Sequence, residues 1–234
     1  VITVVAGIAI SFFFYSRAKA EHLQRHMAQA QHEATEARLK LLEAQLEPHM
    51  LFNTLANLRV LVALDPPRAQ AMLDRLIAFL RSTLDASRTA TLPLASEFDR
   101  LADYLALMAV RMGPRLQVAL DLPDELRQLP MPPLLLQPLV ENSIKHGLEP
   151  KVAGGRIEVT ARRDGTRLRL SVRDTGVGLG GASVEGTRFG LQQVRDRLAA
   201  LHGDAASLTL QAAPDADGGT LAEVMLPLAT EPGA

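Results

Sequence analysis

In the segment 136–144, at the start of the second half of the chain, a hydrophobic residue recurs at every fourth position. Leu136, Val140 and Ile144 are spaced i, i+4, which predicts a helix with one apolar face against a core. At about 100° per residue, the polar side chains of this segment fall on the opposite face. They are Glu141, Asn142, Lys145 and His146. The simplest interpretation of such a face on an isolated helix is a solvated surface, so its meaning depends on the downstream sequence.

Alternating positions after this helix predict strands. The alternating segments form two pairs, 156–161 with 167–172 and 208–212 with 221–226. Asp164-Gly165 marks the turn of the first pair. Segment 115–122 also alternates, and 192–201 is predicted to be a helix with Val194, Leu198 and Leu201 on one side. The pattern predicts a layer of helices over a mostly antiparallel sheet.

The first half of the chain is predicted to be mostly helical. After Pro48, a stripe at helical spacing is formed by Leu51, Leu55, Leu58 and Val62. His49, Asn53 and Ala56 project from the opposite side of this helix, and Pro48 introduces a kink. This arrangement predicts an accessible histidine.

Two further helices follow the break at Pro66-Pro67. The first covers 68–84, and its apolar positions are Met72, Leu76, Phe79, Leu80 and Leu84. The second is capped by Ser96 and ends at Gly113-Pro114. Its apolar positions are Phe98, Leu101, Leu105 and Met108.

Two glycine-rich loops follow the polar helix face of residues 141–146. They are Asp174-Thr175-Gly176-Val177-Gly178-Leu179 and Gly186-Thr187-Arg188-Phe189-Gly190-Leu191. A polar helix face and two flexible loops, in this order within roughly fifty residues, indicate a nucleotide pocket. The block resembles the ATP-binding domain of the GHKL (Bergerat-fold) superfamily, which includes gyrase-type ATPases, Hsp90, MutL and histidine kinases.

The resemblance implies roles for the helix and for the first loop. Asn142 would coordinate the Mg²⁺ that bridges the ATP phosphates, and Glu141 beside it would polarise a water or the attacking group. Lys145 and His146 would lie near the phosphates, where positive charge offsets the triphosphate. Asp174 would accept a hydrogen bond from the adenine amino group. Gly176 and Gly178 would let the backbone approach the base, where a Cβ would collide.

The resemblance also implies a lid. Gly186 and Gly190 would bracket a mobile loop over the phosphates that includes Thr187 and Arg188. Leu191 would begin the next helix, whose N-terminal dipole favours anions.

The segment Leu46-Glu47-Pro48-His49-Met50-Leu51-Phe52-Asn53-Thr54-Leu55 closely resembles the phosphoacceptor motif of the LytS/YehU-type sensor histidine kinases. The resemblance extends over roughly residues 38 to 228. It implies that a His49 ring nitrogen attacks the γ-phosphate of ATP and that the phosphoryl group then passes to an Asp of a response regulator. The regulator would be a DNA-binding protein, often of the LytTR type. The kinase would be a homodimer, although the pattern is equally consistent with monomeric helical hairpins.

The chain departs from common histidine kinases at three positions. Met50 stands where many carry an acid after the phosphoacceptor, so Glu141 or a water is the hypothesised proton acceptor. Arg188 occupies a lid position often held by Gly, and Pro138 one that often carries a polar residue. A non-catalytic ATP-binding signalling dimer and a phosphatase-dominant sensor therefore stay open, and Asn53 would orient water in a phosphatase reaction. A gyrase-like or MutL-like ATPase is not expected, because the sequence predicts neither the transducer domain nor the basic DNA-binding surface of such proteins.

The beginning of the chain predicts its location. Residues 1–15 contain no charge, and Arg17 and Lys19 follow at once, as on the cytoplasmic flank of a membrane helix. Residues 1–16 are expected to be the end of a transmembrane helix in the inner or cytoplasmic membrane, with the chain after about residue 17 in the cytoplasm. The alternative interpretation is a signal peptide, but residues 1–15 lack the positively charged N-terminal region that a signal peptide has. Residues 17–46 predict a linker or signalling helix, in which His22, His26 and His32 form a solvated face.

Composition narrows the function without naming it. The chain has 234 residues, a formal net charge of −1 and no cysteine. The charge argues against direct nucleic-acid binding, and the lack of cysteine excludes thiol chemistry and disulfides. The predicted class is α+β: a helical dimerisation and phosphotransfer region over 47–113, then a Bergerat-type α/β sandwich over 114–230 that binds ATP and Mg²⁺.

Overall fold

The computed structural model describes residues 48–86, 89–179 and 184–228. The chain divides into two compact units, Val1–Asn53 and Thr54–Ala234. The expected membrane helix and linker lie outside the described residues. Among the helices that the structure describes, none is long and apolar enough to span a bilayer.

Helix α1, Pro48–Leu64, buries only part of the predicted apolar stripe. Leu55 and Val62 of the predicted stripe are 50% and 59% exposed, whereas Met50 and Thr54 are buried. Leu58 and Leu61 are half-buried, so the buried side runs through 50, 54, 58 and 61. The predicted stripe is therefore buried only in part, because apolar residues lie all round this helix and a threonine occupies one of the buried positions.

Helix α2, Pro66–Ala86, begins where the proline pair predicts a break. The Asp65 carboxylate accepts a hydrogen bond from the N–H of Arg68 at 3.2 Å, and Pro66 needs no N–H partner at the first helical position. The predicted core positions Met72, Leu76 and Phe79 are buried, whereas Leu84 is 37% exposed. This helix packs against the next one, helix α3.

Helix α3, Leu94–Met112, starts without the predicted serine cap. The first backbone N–H groups, of Leu94 and Ala95, donate to the carbonyls of Leu129 and Arg127, each at 2.9 Å. These two backbone carbonyls therefore satisfy the helix N-terminus in place of a side-chain cap at Ser96. The four predicted apolar positions are buried: Phe98, Leu101, Leu105 and Met108. The helix ends as predicted before Gly113, whose φ is +60°.

A five-stranded sheet forms the second half of the fold. Its strands are β2 Leu116–Asp121, β4 Gly155–Asp164, β5 Arg167–Asp174, β6 Ser207–Ala212 and β7 Thr220–Pro227. They lie in the order β2-β4-β5-β7-β6; β2 pairs with β4 in parallel, and the other pairings are antiparallel. The first hairpin turn falls on Gly165-Thr166, one residue after the predicted position, because Asp164 still pairs with Arg167. A two-residue pair, β1 Leu92–Pro93 and β3 Pro130–Met131, lies apart from this sheet.

The sheet and its helices share one core. Ile157, Val159, Leu170, Val172 and Val224 are buried to 0% exposure. Helix α4, Gln137–Asn142, continues as a π-helical turn over Ser143–Leu148, and α5 covers Val184–His202. In α5 the predicted core positions Val194 and Leu198 are buried, but Leu201 is 52% exposed near the helix end. The observed architecture confirms the predicted α+β class.

Candidate nucleotide-binding site

The helix that carries the polar motif is amphipathic as predicted, but it changes its winding within the motif. Leu136, Val140 and Ile144 are at most 1% exposed. Glu141, Asn142 and His146 are half-buried, and Lys145 is exposed.

After Asn142, the α-helix widens into the π-turn Ser143–Leu148. The N–H of Glu149 there donates to the carbonyl of Ile144 at 2.8 Å. Such a turn is often found at functional sites, and periodicity counted at an α-helical angle does not reveal it.

Asp174 lies at the end of β5 and is fully buried at 0% exposure. Its Oδ1 accepts the N–H of Gly176 at 2.8 Å, and its Oδ2 accepts the hydroxyl of Thr220. A buried carboxylate is tolerated because these donors replace water. An ionised carboxylate has about four acceptor positions, so Asp174 can still accept an amino group such as that of adenine.

Glycines surround this carboxylate closely. A Cβ on Gly147 would lie 2.7 Å from Asp174 Oδ1, and a Cβ on Gly176 would lie 2.3 Å from the carbonyl carbon of Gly147. The N–H of Val177 donates to the carbonyl of Gly147 at 3.0 Å. The first glycine loop is therefore fastened to the end of the motif helix. Glycine is required at position 176 because of this close packing. At position 178 it is favoured for another reason, because the φ of +75° is one that other residues rarely adopt.

Sequence reasoning misses three residues that build this pocket: Gly147, Gly219 and Thr220. A Cβ on Gly219, whose φ is +91°, would lie 2.0 Å from the carbonyl oxygen of Asp174. Thr220 follows at once and begins β7. The one signal in the sequence is the glycine pair before the last strand, which by itself is ordinary turn chemistry.

The second glycine loop differs from its prediction. The backbone of Gly186, Thr187, Arg188 and Gly190 is helical and belongs to the first two turns of α5, which starts at Val184. The predicted lid is therefore not a loop in this structure, and Leu191 lies inside the helix rather than at its start. Glycine lowers helix stability by only about 1 kcal/mol, which the buried residues further along α5 offset.

The start of α5 nevertheless lies close to the motif helix. A Cβ on Gly190 would lie 3.7 Å from Pro138 Cβ, an ordinary contact. Leu191 is 4% exposed. The side chains of residues 186–189 are outside the described ones.

His49 and Asn53 belong to a different compact unit from the motif helix and the glycine loops. His49 is the second residue of α1, and its side chain lies outside the described residues. Asn53 is half-buried.

The residues at the motif helix fit a magnesium ion. Mg²⁺ prefers oxygen ligands and is usually held by one or two protein groups together with phosphates and waters. The Asn142 amide oxygen meets that need, and the Glu141 carboxylate is its neighbour in sequence. In the described part of the chain, no cluster of three His, Cys, Asp or Glu residues forms a complete protein cage.

Comparison with known proteins agrees with this geometry. Residues 37–116 match the family described as "Histidine kinase". Residues 133–230 match the family "Histidine kinase-, DNA gyrase B-, and HSP90-like ATPase". The chain is 34% identical over 181 residues to the sensor histidine kinase BtsS of Escherichia coli (strain K12), which covers 77% of this chain and 32% of that protein. The chain belongs to the LytS-type sensor histidine kinases.

A second curated relative and one solved structure are also similar to the chain. The sensor histidine kinase/phosphatase LytS of Staphylococcus aureus (strain Mu50) is 33% identical over 188 residues, covering 75% of this chain and 32% of that protein. The histidine kinase domain of the Erythrobacter litoralis EL346 blue-light activated kinase has a TM-score of 0.46 at 17% identity, covering 84% of this chain and 94% of that one. This histidine kinase chain spans about a third of the length of the curated relatives.

Proposed function

We propose that this chain is the kinase region of a membrane-tethered sensor histidine kinase of a two-component system. It transfers the γ-phosphoryl group of Mg²⁺-bound ATP to His49 and then to an Asp of a response regulator. The observation that carries the proposal is the buried Asp174, enclosed by Gly147 and Gly176 at the end of the helix that presents Glu141 and Asn142. A Cβ at either glycine would collide with the carboxylate or with the backbone beside it, so this corner of the fold admits only glycine.

The phosphoryl transfer uses a neutral imidazole as nucleophile. A histidine with a pKa of about 6.5 is largely neutral near pH 7. In the proposed step, a ring nitrogen of His49 bonds to the γ-phosphorus, the bond from that phosphorus to the β–γ bridging oxygen breaks, and ADP leaves. Because Met50 follows His49, the proton on the other ring nitrogen passes to Glu141 or to water. Lys145 and Arg188 supply positive charge near the phosphates, His146 lies beside them, and Mg²⁺ on Asn142 would neutralise the developing charge.

A homodimer is supported by large apolar side chains that stay exposed on α1 and α2. Those more than a third exposed include Leu55, Val60, Val62, Leu64, Leu73, Ile77 and Leu84. Of these, Leu73, Ile77 and Leu84 are spaced i, i+4, i+11 along α2 and form one stripe. An exposed apolar surface of this extent is typical of a contact with another protein molecule. We place a second copy of the chain on this surface.

The membrane and the regulator complete the proposal. The uncharged run over 1–15 with Arg17 and Lys19 supports an inner or cytoplasmic membrane anchor and a cytoplasmic kinase. The response regulator is proposed to be of the LytTR type. Asn53 stands four residues after His49, and we assign it the orientation of water when the phosphorylated regulator is dephosphorylated. An Asn53→Ala variant that dephosphorylates the regulator at the wild-type rate excludes this role.

Labelling with γ-³²P-ATP tests the kinase proposal. The wild-type protein should acquire an acid-labile, base-stable label, and His49→Gln should acquire none. His26→Gln is the matched control and should label as the wild type does. A wild type without label supports the non-catalytic ATP-binding dimer instead, whereas a label retained by His49→Gln shows that His49 is not the phosphoacceptor.

A further inference from the structure

A buried polar chain connects helix α3 with the motif helix. The Glu97 side chain is 1% exposed and accepts the backbone N–H groups of Leu134 at 2.9 Å and Leu136 at 3.0 Å. Its ion-pair partner is Arg100, which is 2% exposed. Among the described residues other than glycine, Leu134 alone has a positive φ, at +60°. The Glu97 carboxylate therefore holds an unfavourable backbone turn at the point from which α4 starts.

Gln137 is the first residue of that helix and lies next to the backbone that Glu97 holds. Its side chain is 3% exposed, and its Nε2 donates to Glu141 Oε1 at 2.8 Å. The Oε1 of Gln137 has no hydrogen-bond partner among the described residues. A buried carboxamide with one unsatisfied oxygen is costly, so a purely structural role would be served better by an apolar side chain.

We propose that Gln137 is a positioning residue for phosphoryl transfer. It holds one oxygen of Glu141 through its amide donor, from a helix start that Glu97 fixes, so that the other carboxylate oxygen is directed to the proton of the attacking group. The donor orientation matches an ionised Glu141, because a reversed amide would set two oxygens against each other. This inference rests on the proposed kinase function and on the proposed role of Glu141 in it.

The chain offers a matched control for this contact. Gln192 Nε2 donates to Asp196 Oδ1 at 2.7 Å, also at i, i+4 on a helix, but this pair is exposed. The variants are therefore Gln137→Met and Gln192→Met, each of which removes an amide donor and keeps the length of the side chain. The measurements are the single-turnover rate of His49 phosphorylation at saturating Mg²⁺-ATP, the Kd for Mg²⁺-ADP, and the Tm.

We expect Gln137→Met to slow phosphorylation about tenfold while the Kd for Mg²⁺-ADP stays within about twofold of the wild type. Gln192→Met should match the wild type in both. In the Glu141→Gln background, Gln137→Met should cause no further slowing, because it acts through Glu141. If Gln137→Met does not fold, Gln137→Asn keeps the amide one methylene short and should show the same separation of rate from affinity.

The outcomes separate the two proposals. A wild type that acquires no phosphoryl group contradicts the kinase function itself. If the wild type is labelled and Glu141→Gln is phosphorylated at the full rate, Glu141 takes no part in the transfer, and the positioning role of Gln137 is overturned. The positioning role is also overturned if Gln137→Met keeps the wild-type rate, if it slows the Glu141→Gln enzyme equally, or if rate and affinity fall together.

Discussion

The Asp174 carboxylate is held and enclosed mainly by residues that are distant from it in sequence. Gly176 follows within its own loop, whereas Gly147 lies in the π-turn that ends the motif helix and Thr220 begins the last strand. A sequence motif identifies Asp174 and Gly176 because their spacing is local. Gly147 and Thr220 are recognisable only when the sheet brings three segments to one carboxylate, so the sequence reveals the acceptor but not the enclosure around it.

Replacing Gly147 by alanine should damage both stability and nucleotide binding. The new Cβ would lie 2.7 Å from Asp174 Oδ1, so the free energy of unfolding should fall by about 1–3 kcal/mol and the Kd for Mg²⁺-ADP should rise. Gly190→Ala is the control for stability, since its Cβ would make an ordinary 3.7 Å contact. Urea unfolding that shows equal stability for the two variants would contradict the close packing at Gly147.

Replacing Thr220 by valine removes the hydroxyl that donates to Asp174. The buried carboxylate then lacks one donor, and the free energy of unfolding should fall by about 1–3 kcal/mol. The Kd for Mg²⁺-ADP should rise as well. Thr209→Val, at an exposed position on β6, should change neither quantity. Isothermal titration and urea unfolding measure the two effects, and a Thr220→Val protein as stable as Thr209→Val would show that the hydroxyl is dispensable.

At the scale of the elements, periodicity predicts a buried face well only where the polar side of the element is distinct. The motif helix has one apolar and one polar side, and its core positions are confirmed. Helix α1 has apolar residues all round, so the spacing of its stripe does not predict that Leu55 and Val62 are exposed. The glycines of the second loop predict flexibility, yet their backbone is helical because the buried residues of α5 extend the helix.

The loop over 214–219 is held beside Asp174 by Arg173. This guanidinium donates to Asp215 and to the carbonyl of Asp174 at 3.2 Å. The hydrogen bond from Arg173 holds the pKa of Asp215 below its ordinary value of 3.8. Because the folded pKa is the lower one, the contact stabilises the protein above pH 3.8 and is lost as the pH falls through the folded pKa.

Asp215→Asn should therefore lower the urea unfolding midpoint at neutral pH, and the difference from the wild type should shrink as the pH falls below 3.8. Asp204→Asn changes another exposed acid, in the turn Gly203–Ala205, and should give no such dependence. A difference between Asp215→Asn and the wild type that stays constant down to about pH 3 would rule out the Arg173 contact as its source.

At the scale of the whole molecule, the exposed apolar stripe on α2 and the proposed nucleotide site are separate features that are predicted to different extents from the sequence. The sequence predicts both regions, but it does not show which side chains of α1 and α2 are left on the surface. That information comes from packing: Met72, Leu76 and Phe79 turn toward α3, which leaves Leu73 and Ile77 outside.

Substituting Leu73 and Ile77 together by glutamine should convert the homodimer into a monomer, since both are more than a third exposed on the proposed dimer surface. Light scattering after size exclusion measures the mass. Leu201→Gln, at a 52% exposed leucine of the ATP-binding region, is the control and should stay dimeric. If the Leu73 and Ile77 double variant stays dimeric like Leu201→Gln, the apolar stripe on α2 is not part of the dimer contact.

The central claim is that the pocket around Asp174 delivers the γ-phosphoryl group of ATP to His49. The most direct test incubates the protein with Mg²⁺-ATP, locates the phosphoryl group by mass spectrometry at neutral pH, and measures ADP and free phosphate in the same sample. We predict phosphohistidine at His49 with an equal amount of ADP, and neither product with Asn142→Ala, which removes the oxygen ligand proposed for Mg²⁺. ADP with free phosphate and an unmodified His49, or a phosphoryl group on another residue, would contradict this claim.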